Sequence, residues 1–207
     1  MNVSLIQATP KPINTICNIA SICYDSAPKD PMKLVKHLYD SGHLSVMEHI
    51  YFTFKIEGIS RACSHQLVRH RMCSFTQRSQ RYCSEDGFTV VLPHSIEDSP
   101  KAFDEYNESL TDIRQGYANL QHLDISNEDA RYLLPNACCT DLYLSCNLRE
   151  LIHICNERLC SRAQWEIREL VKKMVELVEP DLKFMLVPKC KSGRIICNTP
   201  CKMKGEM

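Results

Sequence analysis

Glycine is scarce in this chain of 207 residues: only six are present, and neither a GxGxxG nor a GxxxxGKS/T pattern occurs. The glycine-rich turns that hold phosphates in Rossmann and P-loop proteins are therefore excluded. Net charge is also lacking, because 25 basic residues balance 25 acidic ones. That balance argues against the broad basic surface that duplex nucleic acid requires. With no apolar run near 18 residues and no signal-like N-terminus, we expect no membrane span and a cytoplasmic location.

Cysteine, in contrast, is abundant, with 13 residues. Three features oppose a disulfide framework: the count is odd, a secretory leader is lacking, and cysteines such as Cys146 and Cys155 lie inside apolar periodic segments. We therefore expect most of them to be small buried hydrophobic residues in a reducing compartment.

Hydrophobic periodicity predicts a single domain of α/β or α+β class, in which strands and helices are mixed. Asp30 followed by Pro31 marks the start of a helix. The predicted strands are 2–8, 50–57, 87–93 and 138–146. The predicted helices are 14–24, one from 31, 59–71, 101–123, one from 126, 149–160 and 163–178. The Lys- and Cys-rich tail, residues 188–207, is expected to be peripheral and able to flex.

Positive charge is concentrated between Glu57 and Glu85, a stretch with no other acid and no lysine. It contains Arg61, His65, Arg69, His70, Arg71, Arg78 and Arg81. Guanidinium groups match phosphate and carboxylate oxygens bidentately, whereas lysine is a point charge. Cations at a helix end can also complement only the helix dipole. Since the stretch continues into serine, threonine and glutamine, we favour an anion site made from side chains.

The sequence Arg69-His70-Arg71, seven further residues and then Ser79 (the arginine motif) resembles the defining RHR-x7-S motif of flavin-dependent thymidylate synthases. Other segments resemble that family in the same order. They are Gly42-His43-Leu44-Ser45 with Glu48-His49, Ala130-Arg131 before Leu133-Leu134-Pro135, Asn147-Leu148-Arg149, Arg158, and Ala163-Gln164-Trp165-Glu166-Ile167-Arg168. The resemblance extends over residues 2–187, so a domain 1–187 and a tail 188–207 are expected.

The resemblance implies a homotetramer with a mixed, largely antiparallel sheet flanked by helices and with active sites between subunits. It implies reductive methylation of dUMP to dTMP, with methylenetetrahydrofolate as the carbon donor and FAD, reduced by NADPH, as the hydride source. The family needs no enzyme cysteine as nucleophile, so Cys73 and Cys83 are expected to be dispensable. The sequence leaves the choice between NADPH and NADH open.

The resemblance also assigns residues to each ligand, and it assigns no metal. The positions that match dUMP contacts are Gln66, Leu67, Val68, Arg69, Gln77, Arg78, Ser79, Gln80, Arg81, Arg131 and Arg158. The positions that match FAD contacts are His43, Ser45, Glu48, Arg69, His70, Arg71, Asn147, Leu148, Arg149 and His153. Arg158 is the expected catalytic residue, because a fixed cation can stabilise the negative charge that develops on the uracil ring.

Two departures and two alternatives accompany this assignment. Gln77 stands where the family often has Glu, and Thr76 where it often has Asn or Ser, so a carboxylate function at position 77 is in doubt. One alternative is an Arg-rich nucleic-acid-binding domain. The other is a metal or redox module that uses Cys190, Cys197 and Cys201, although their spacing does not match a zinc knuckle.

Overall fold

A computed structural model describes residues 1–23 and 29–198. The strands are β1 (Asn2–Ala8), β2 (Tyr51–Ser60), β3 (Ser74–Gln77) and β4 (Cys139–Asn147). The helices are α1 (Pro12–Ser21), α2 (Pro31–Asp40), α3 (Arg61–Leu67), α4 (His94–Glu97), α5 (Pro100–His122), α6 (Asn127–Ala130), α7 (Leu148–Arg158) and α8 (Trp165–Glu176). Short 3-10 helices cover Ser45–His49, Arg131–Leu133, Pro180–Leu182 and Lys189–Lys191.

The four strands form one sheet in the order β1-β2-β4-β3. The N–H of Leu148 donates to the carbonyl of Ile50 at 2.7 Å, and the N–H of Arg61 donates to the carbonyl of Cys138 at 3.0 Å. The start of β2 therefore pairs with the end of β4 and its end with the start of β4, which defines an antiparallel pair. A mixed α/β fold with an antiparallel sheet agrees with the expectation from the sequence.

The chain packs into two compact units. The first unit comprises Met1–Ile56, Leu67–Phe75 and Tyr143–Met207. The second unit comprises Glu57–Gln66 and Thr76–Leu142.

Helix α7 organises the first unit. It starts after Asn147, whose side-chain oxygen accepts a hydrogen bond of 2.9 Å from the N–H of Glu150 and so caps the helix. Leu148, Leu151 and Cys155 recur at helical spacing and are fully buried. Burying a side chain of leucine size contributes about 1.5–3 kcal/mol, so this face fixes the helix and leaves its other face for polar residues.

Helix α5, of 23 residues, is the longest element of the second unit. The core beside it consists of Phe88, Leu110 and Cys138, with Val90, Tyr106, Ile113 and Leu134 packed against them. The hydroxyl of Tyr117 accepts a hydrogen bond of 3.1 Å from the N–H of Glu85. Helix α5 thereby holds the backbone that follows the arginine motif.

Several elements differ from the prediction. Strand 2–8 and the capped start of α2 are confirmed. The predicted helix 59–71 is shorter, because Ile59 and Ser60 still belong to β2 and the helix ends at Leu67. Pairing with β4 outweighs the helical spacing there. The predicted strand 87–93 is wrong: Val90 makes only an isolated antiparallel bridge with Cys138. Position 24, the predicted end of α1, lies outside the described residues.

The segment 188–198 contacts the rest of the first unit at two points, while most of its residues are exposed or half-buried. Ser192 is buried, and the Arg194 guanidinium lies 4.6 Å from the centroid of the Tyr39 ring. The twelve cysteines in the described part of the chain are all free, and five are buried. No helix among residues 1–23 and 29–198 is long and apolar enough to cross a membrane.

Candidate active site

The chain leaves helix α3 before the arginine motif begins. Arg69, His70 and Arg71 lie in the turns between α3 and β3, where the N–H of His70 donates to the carbonyl of Leu67 at 3.1 Å. These turns expose both arginines and bury His70 to 6% exposure. The two arginines can therefore meet an anion from outside, whereas the histidine belongs to the interior of the first unit.

Three side chains surround the His70 ring. Its Nδ1 lies 3.4 Å from Oε1 of Glu150, and its Nε2 accepts a hydrogen bond of 3.0 Å from Nε of Arg158. The His153 ring has its centroid 5.5 Å away. Burial, the Arg158 cation and His153 together lower the pKa of His70 to about 4. The ring is therefore neutral at pH 7. Burial also raises the pKa of Glu150.

Helix α7 and the segment 188–198 contribute to a cavity of about 570 Å³ in the first unit, called here the α7 cavity. Four residues that the sequence assigned to FAD line it: Glu48, Asn147, Arg149 and His153. Glu48 and Arg149 form an ion pair there. The remaining lining residues are Leu44, Met72, Glu150, Ile152, Asn156, Arg194 and Ile195.

The lining of the α7 cavity suits a large cofactor with a diphosphate. Arg149, His153 and Asn156 lie at i, i+4 and i+7 of α7 and so share one face. Arg149 and Arg194 supply cations. The Oδ1 atom of Asn156 is buried without a hydrogen-bond partner in the described structure. Such an orphan acceptor costs roughly 1–3 kcal/mol, and an N–H or O–H of a ligand such as FAD would satisfy it.

The other residues assigned to FAD lie outside the lining of this cavity. His43 and Ser45 are exposed at the start of the 3-10 helix Ser45–His49. Leu148 is fully buried in the core, so its side chain packs rather than faces a ligand.

The residues assigned to dUMP are divided between the two units. Leu67, Val68, Arg69 and Arg158 belong to the first unit, whereas Gln66, Gln77, Arg78, Ser79, Gln80, Arg81 and Arg131 belong to the second. Leu67 is fully buried, whereas Val68 and Arg69 are exposed. The second unit therefore contains most of the residues that the sequence assigned to dUMP.

Arg78, inside the arginine motif, and Arg81, two residues beyond its end, are both paired with acids. Arg78 Nε donates to Glu85 Oε1 at 3.1 Å, and Arg81 Nε donates to Glu128 Oε2 at 2.7 Å. The hydrogen bond and the charge of Glu85 raise the pKa of Arg78. These two arginines are thus held in place by carboxylates, and neither faces solvent as an unpaired charge.

The contacts of Gln77 explain why glutamine fits at a position where the family often has glutamate. Its amide nitrogen donates to the hydroxyls of Ser64 at 3.0 Å and Thr140 at 3.2 Å, both of which are buried. An amide brings two N–H donors to this pair of hydroxyl oxygens, whereas an ionised glutamate brings none. The side chain therefore anchors the last residue of β3, which belongs to the second unit.

Another cavity of the second unit, about 350 Å³ in volume, is called here the Arg61 cavity. It is lined by Arg61, His65, Gln80, Arg131, Tyr132, Leu134, Pro135 and Asn136. Arg61 Nη2 donates to the carbonyl of Arg78 at 2.8 Å, but its Nε is buried without a partner in the described structure. Burial lowers the pKa of Arg61. The cavity is therefore suited to an anion or to carbonyl oxygens.

Metal binding has one geometric candidate in the described chain, the group His70, Glu150 and His153. Both ring nitrogens of His70 already face partners, which leaves it no lone pair for a metal. Cys190 and Cys197 line a different cavity together with Cys160, but they do not form a metal-ligand group by distance in residues 1–23 and 29–198. Cys201 lies outside the described residues.

Together, these features are those of an enzyme that binds anionic nucleotides through side chains rather than glycine-rich loops. The model of the family described as thymidylate synthase complementing protein matches residues 4–182. The flavin-dependent thymidylate synthase of Geobacter sulfurreducens is 41% identical, covering 99% of this chain and 92% of that protein. The corresponding protein of Clostridium tetani is 34% identical, covering 99% and 96%. The chain belongs to the flavin-dependent thymidylate synthase family.

Solved structures agree with this fold. Thymidylate synthase X from Helicobacter pylori, crystallised with FAD and dUMP, matches with a TM-score of 0.77 at 23% identity, covering 92% of this chain and 99% of that chain. A second crystal structure of the H. pylori enzyme, also complexed with FAD and dUMP, gives a TM-score of 0.74 at 24% identity, covering 90% and 98%. The expected mixed α/β fold is therefore confirmed.

Glu150, Asn156, Arg61 and His65 line these cavities but were not assigned to a ligand from the sequence. Glu150 is the third residue of α7 after an asparagine cap, a pattern that indicates only a capping role. Asn156 lies one helical turn beyond His153, so the periodicity of α7 was a usable signal. Arg61 and His65 belong to the acid-free stretch, but they lie outside the segments that resemble the family.

Proposed function

We propose that this chain converts dUMP to dTMP by reductive methylation. Methylenetetrahydrofolate provides the carbon, NADPH provides the reducing equivalents, and tetrahydrofolate and NADP⁺ leave. The observation that carries the proposal is the α7 cavity, in which Glu48, Asn147, Arg149 and His153 come together as the family pattern requires. FAD, when bound, would accept the hydride of NADPH and pass it on, while the protein supplies binding and electrostatics.

For FAD, we assign the α7 cavity as the main contact surface. Arg149 and Arg194 would neutralise the diphosphate, and Asn156 and His153 would hydrogen-bond polar groups of the cofactor. His43, Ser45, Arg69 and Arg71 complete the proposed set. Leu148 would contribute through its backbone, and His70, both of whose ring nitrogens face protein partners, would act indirectly. The charge and hydrogen-bonding character of the cavity support this assignment.

For dUMP, we assign the phosphate to the second unit, where Arg78, Ser79, Gln80 and Arg81 follow β3 and Arg131 lines the Arg61 cavity. Gln66, Leu67, Val68 and Arg69 complete the set, Leu67 by its backbone. Gln77 is expected to act indirectly, because its amide nitrogen is already used by Ser64 and Thr140.

Arg158 is the proposed catalytic residue. Activation of uracil C5 as the nucleophile toward the one-carbon unit places negative charge on the ring, and a guanidinium fixed near N3 and O2 would stabilise it. The Nε group of Arg158 is held by His70, so the side chain has a defined position before substrate binds. No thiol nucleophile takes part.

The activity is tested by release of tritium from dUMP labelled at C5. Release should require FAD, NADPH and methylenetetrahydrofolate together, and purified protein should bind FAD with the absorption spectrum of a flavoprotein. Protein that is folded but neither binds FAD nor releases tritium would overturn the proposal. Comparing NADPH with NADH in the same assay determines which nicotinamide is preferred.

We further propose a homotetramer with active sites completed by neighbouring subunits. The large apolar side chains of Met72, Tyr82 and Tyr132, next to the proposed ligand residues, are each more than 70% exposed. Burial of these side chains between subunits would remove apolar surface from water and so favour assembly. Light scattering should give about 95 kDa, four times the chain mass of 23.8 kDa, and a monomer would contradict it. The cytoplasmic location stays a prediction.

A further inference from the structure

Glu150 is a buried acid that neither the family motif nor the proposed ligand sets include. It is 8% exposed and lies on the third position of α7. Its Oε1 lies 3.4 Å from Nδ1 of His70, and its backbone N–H is capped by Asn147. Burying a carboxylate costs free energy unless its oxygens accept hydrogen bonds or face a cation. The position of Glu150 beside His70 therefore indicates that the two side chains interact for a functional reason.

The tautomer of His70 follows from the chemistry of its neighbours. A guanidinium can only donate, so the 3.0 Å contact with Nε of Arg158 requires a lone pair on Nε2 of His70. A neutral imidazole carries its one proton on the other nitrogen. The Nδ1–H must then face an acceptor, and the atom beside it is the carboxylate oxygen of Glu150.

A chain of three side chains therefore leads from Glu150 to the proposed catalytic cation. In the tautomer that the Arg158 contact requires, Oε1 of Glu150, 3.4 Å from Nδ1 of His70, would be the acceptor for its Nδ1–H, and Nε2 of His70 accepts from Arg158. Without an acceptor at position 150, the buried Nδ1–H would be unsatisfied. The ring would relieve this by moving its proton to Nε2 or by turning, and either change removes the acceptor from Arg158.

We propose that Glu150 is a positioning residue, which fixes the His70 tautomer and through it the orientation of Arg158 toward the uracil of dUMP. Only one part of this inference, the orientation of Arg158 toward the uracil of dUMP, rests on the proposed function. The link between Glu150 and His70 concerns the protein alone. The metal alternative for His70, Glu150 and His153 is disfavoured, because this arrangement already uses both nitrogens of His70.

The first test is the tautomer itself. Protein labelled with ¹⁵N-histidine should show, at pH 7, a His70 ring protonated on Nδ1 in long-range ¹H–¹⁵N correlation spectra, with the signal assigned by its loss in His70→Asn. Glu150→Gln keeps an acceptor oxygen and should keep this tautomer, whereas Glu150→Leu should lose it. A wild-type ring protonated on Nε2, or on both nitrogens, would overturn the proposal whatever the variants do.

The second test is kinetic. Glu150→Leu should lower kcat/KM for dUMP by roughly tenfold or more, the size of a lost hydrogen bond to a charged group. Glu150→Gln should stay within about threefold. The KM for NADPH should not change in either variant, since a general loss of structure would affect all substrates. Glu169→Leu and Glu169→Gln on α8 are the matched controls, because Glu169 is exposed.

The outcomes separate the two proposals. Wild-type protein that lacks tritium release, yet has the Nδ1–H tautomer, would overturn the proposed function and support the link between Glu150 and His70. Active wild-type protein whose Glu150→Leu variant keeps full kcat/KM for dUMP would overturn the positioning function. Equal damage in Glu150→Gln and Glu150→Leu would also overturn it. If Glu150→Leu does not fold, the wild-type and Glu150→Gln spectra still decide.

Discussion

Arg81 and Glu128, 47 residues apart in sequence, form a 2.7 Å hydrogen-bonded ion pair in the second unit. The pair brings an acid against an arginine that we assign to the phosphate of dUMP. Arg78 and Glu85 form a similar pair at 3.1 Å. The carboxylates fix the positions of the two guanidinium groups. A phosphate that binds these arginines must compete with the carboxylates, so the affinity for anions is lower.

Neutralising Glu128 should strengthen substrate binding. Glu128→Gln removes a negative charge close to the proposed phosphate position, worth about 0.5–1 kcal/mol near a surface, and the KM for dUMP should fall about two- to fivefold. Stability should change little, since both side chains are about half exposed. Initial-rate kinetics measure the effect, with Glu108→Gln on α5 as the charge control. An unchanged KM would remove Arg81 from the phosphate site.

Replacing Arg158 should affect the chemical step more than folding. Arg158→Gln keeps donors but loses the charge, so kcat should fall by roughly a hundredfold, as when one oxyanion donor is removed. FAD binding, followed by absorption, should persist. Arg162→Gln, an exposed arginine four residues further on, should behave as wild type. A normal kcat in Arg158→Gln would show that charge stabilisation comes from elsewhere.

Acid should destabilise the protein through His70. Its pKa of about 4 lies below the ordinary value of 6.5, so below pH 6.5 the unfolded chain binds a proton that the folded chain does not. The free energy of unfolding contributed by His70 is complete above pH 6.5. It then falls by up to about 1.4 kcal/mol per pH unit toward pH 4. The raised pKa of Glu150 acts in the opposite direction at the acid end.

Urea unfolding of the protein without FAD at pH 7, 6 and 5 measures this dependence. His70→Asn should flatten the slope between pH 6.5 and 5, whereas the exposed His122→Asn should not. Equal slopes in wild type and His70→Asn would contradict a buried neutral histidine at position 70.

Cysteines near the motif should be dispensable. Cys73 and Cys83 are both free and half-buried, and no step of the proposed reaction uses a thiol. Cys73→Ser and Cys83→Ser should each retain most of the tritium release, with stability losses of roughly 1 kcal/mol or less. A variant that folds and binds FAD but is inactive would restore a thiol nucleophile to the mechanism.

The sequence predicted the elements whose signals are local. Strand β1 and the start of α2 follow from alternation and from Asp30-Pro31, and α5 follows from its long helical spacing. The grouping of Asn147, Arg149 and His153 could be predicted because they match a motif and lie at the cap and on the first turns of one helix. These residues do line one cavity.

Features that depend on partners distant in sequence could not be predicted. The residues at 59–60 have helical spacing, but pairing with β4 keeps them in a strand. No pattern in the sequence connects Arg81 with Glu128, or Glu150 with His70, because each pair is created by the packing of separate elements. The stretch between Glu57 and Glu85 contains no acid. In the fold, however, its Arg78 and Arg81 pair with Glu85 and Glu128, which lie outside the stretch.

The side chain at position 147 has two functions, and few amino acids can perform both. It begins α7 by accepting from the N–H of Glu150, and it lines the α7 cavity. Asn147→Ala would weaken the start of helix α7, which carries Arg149, Glu150, His153 and Arg158. A loss of activity in this variant would therefore not be evidence of a ligand contact by itself. Aspartate would keep the helix start but bring a negative charge to the cavity wall that we propose faces the diphosphate of FAD. Engineering of the cofactor preference is therefore better directed at Asn156 and Arg194, where the wall can be changed without moving the helix.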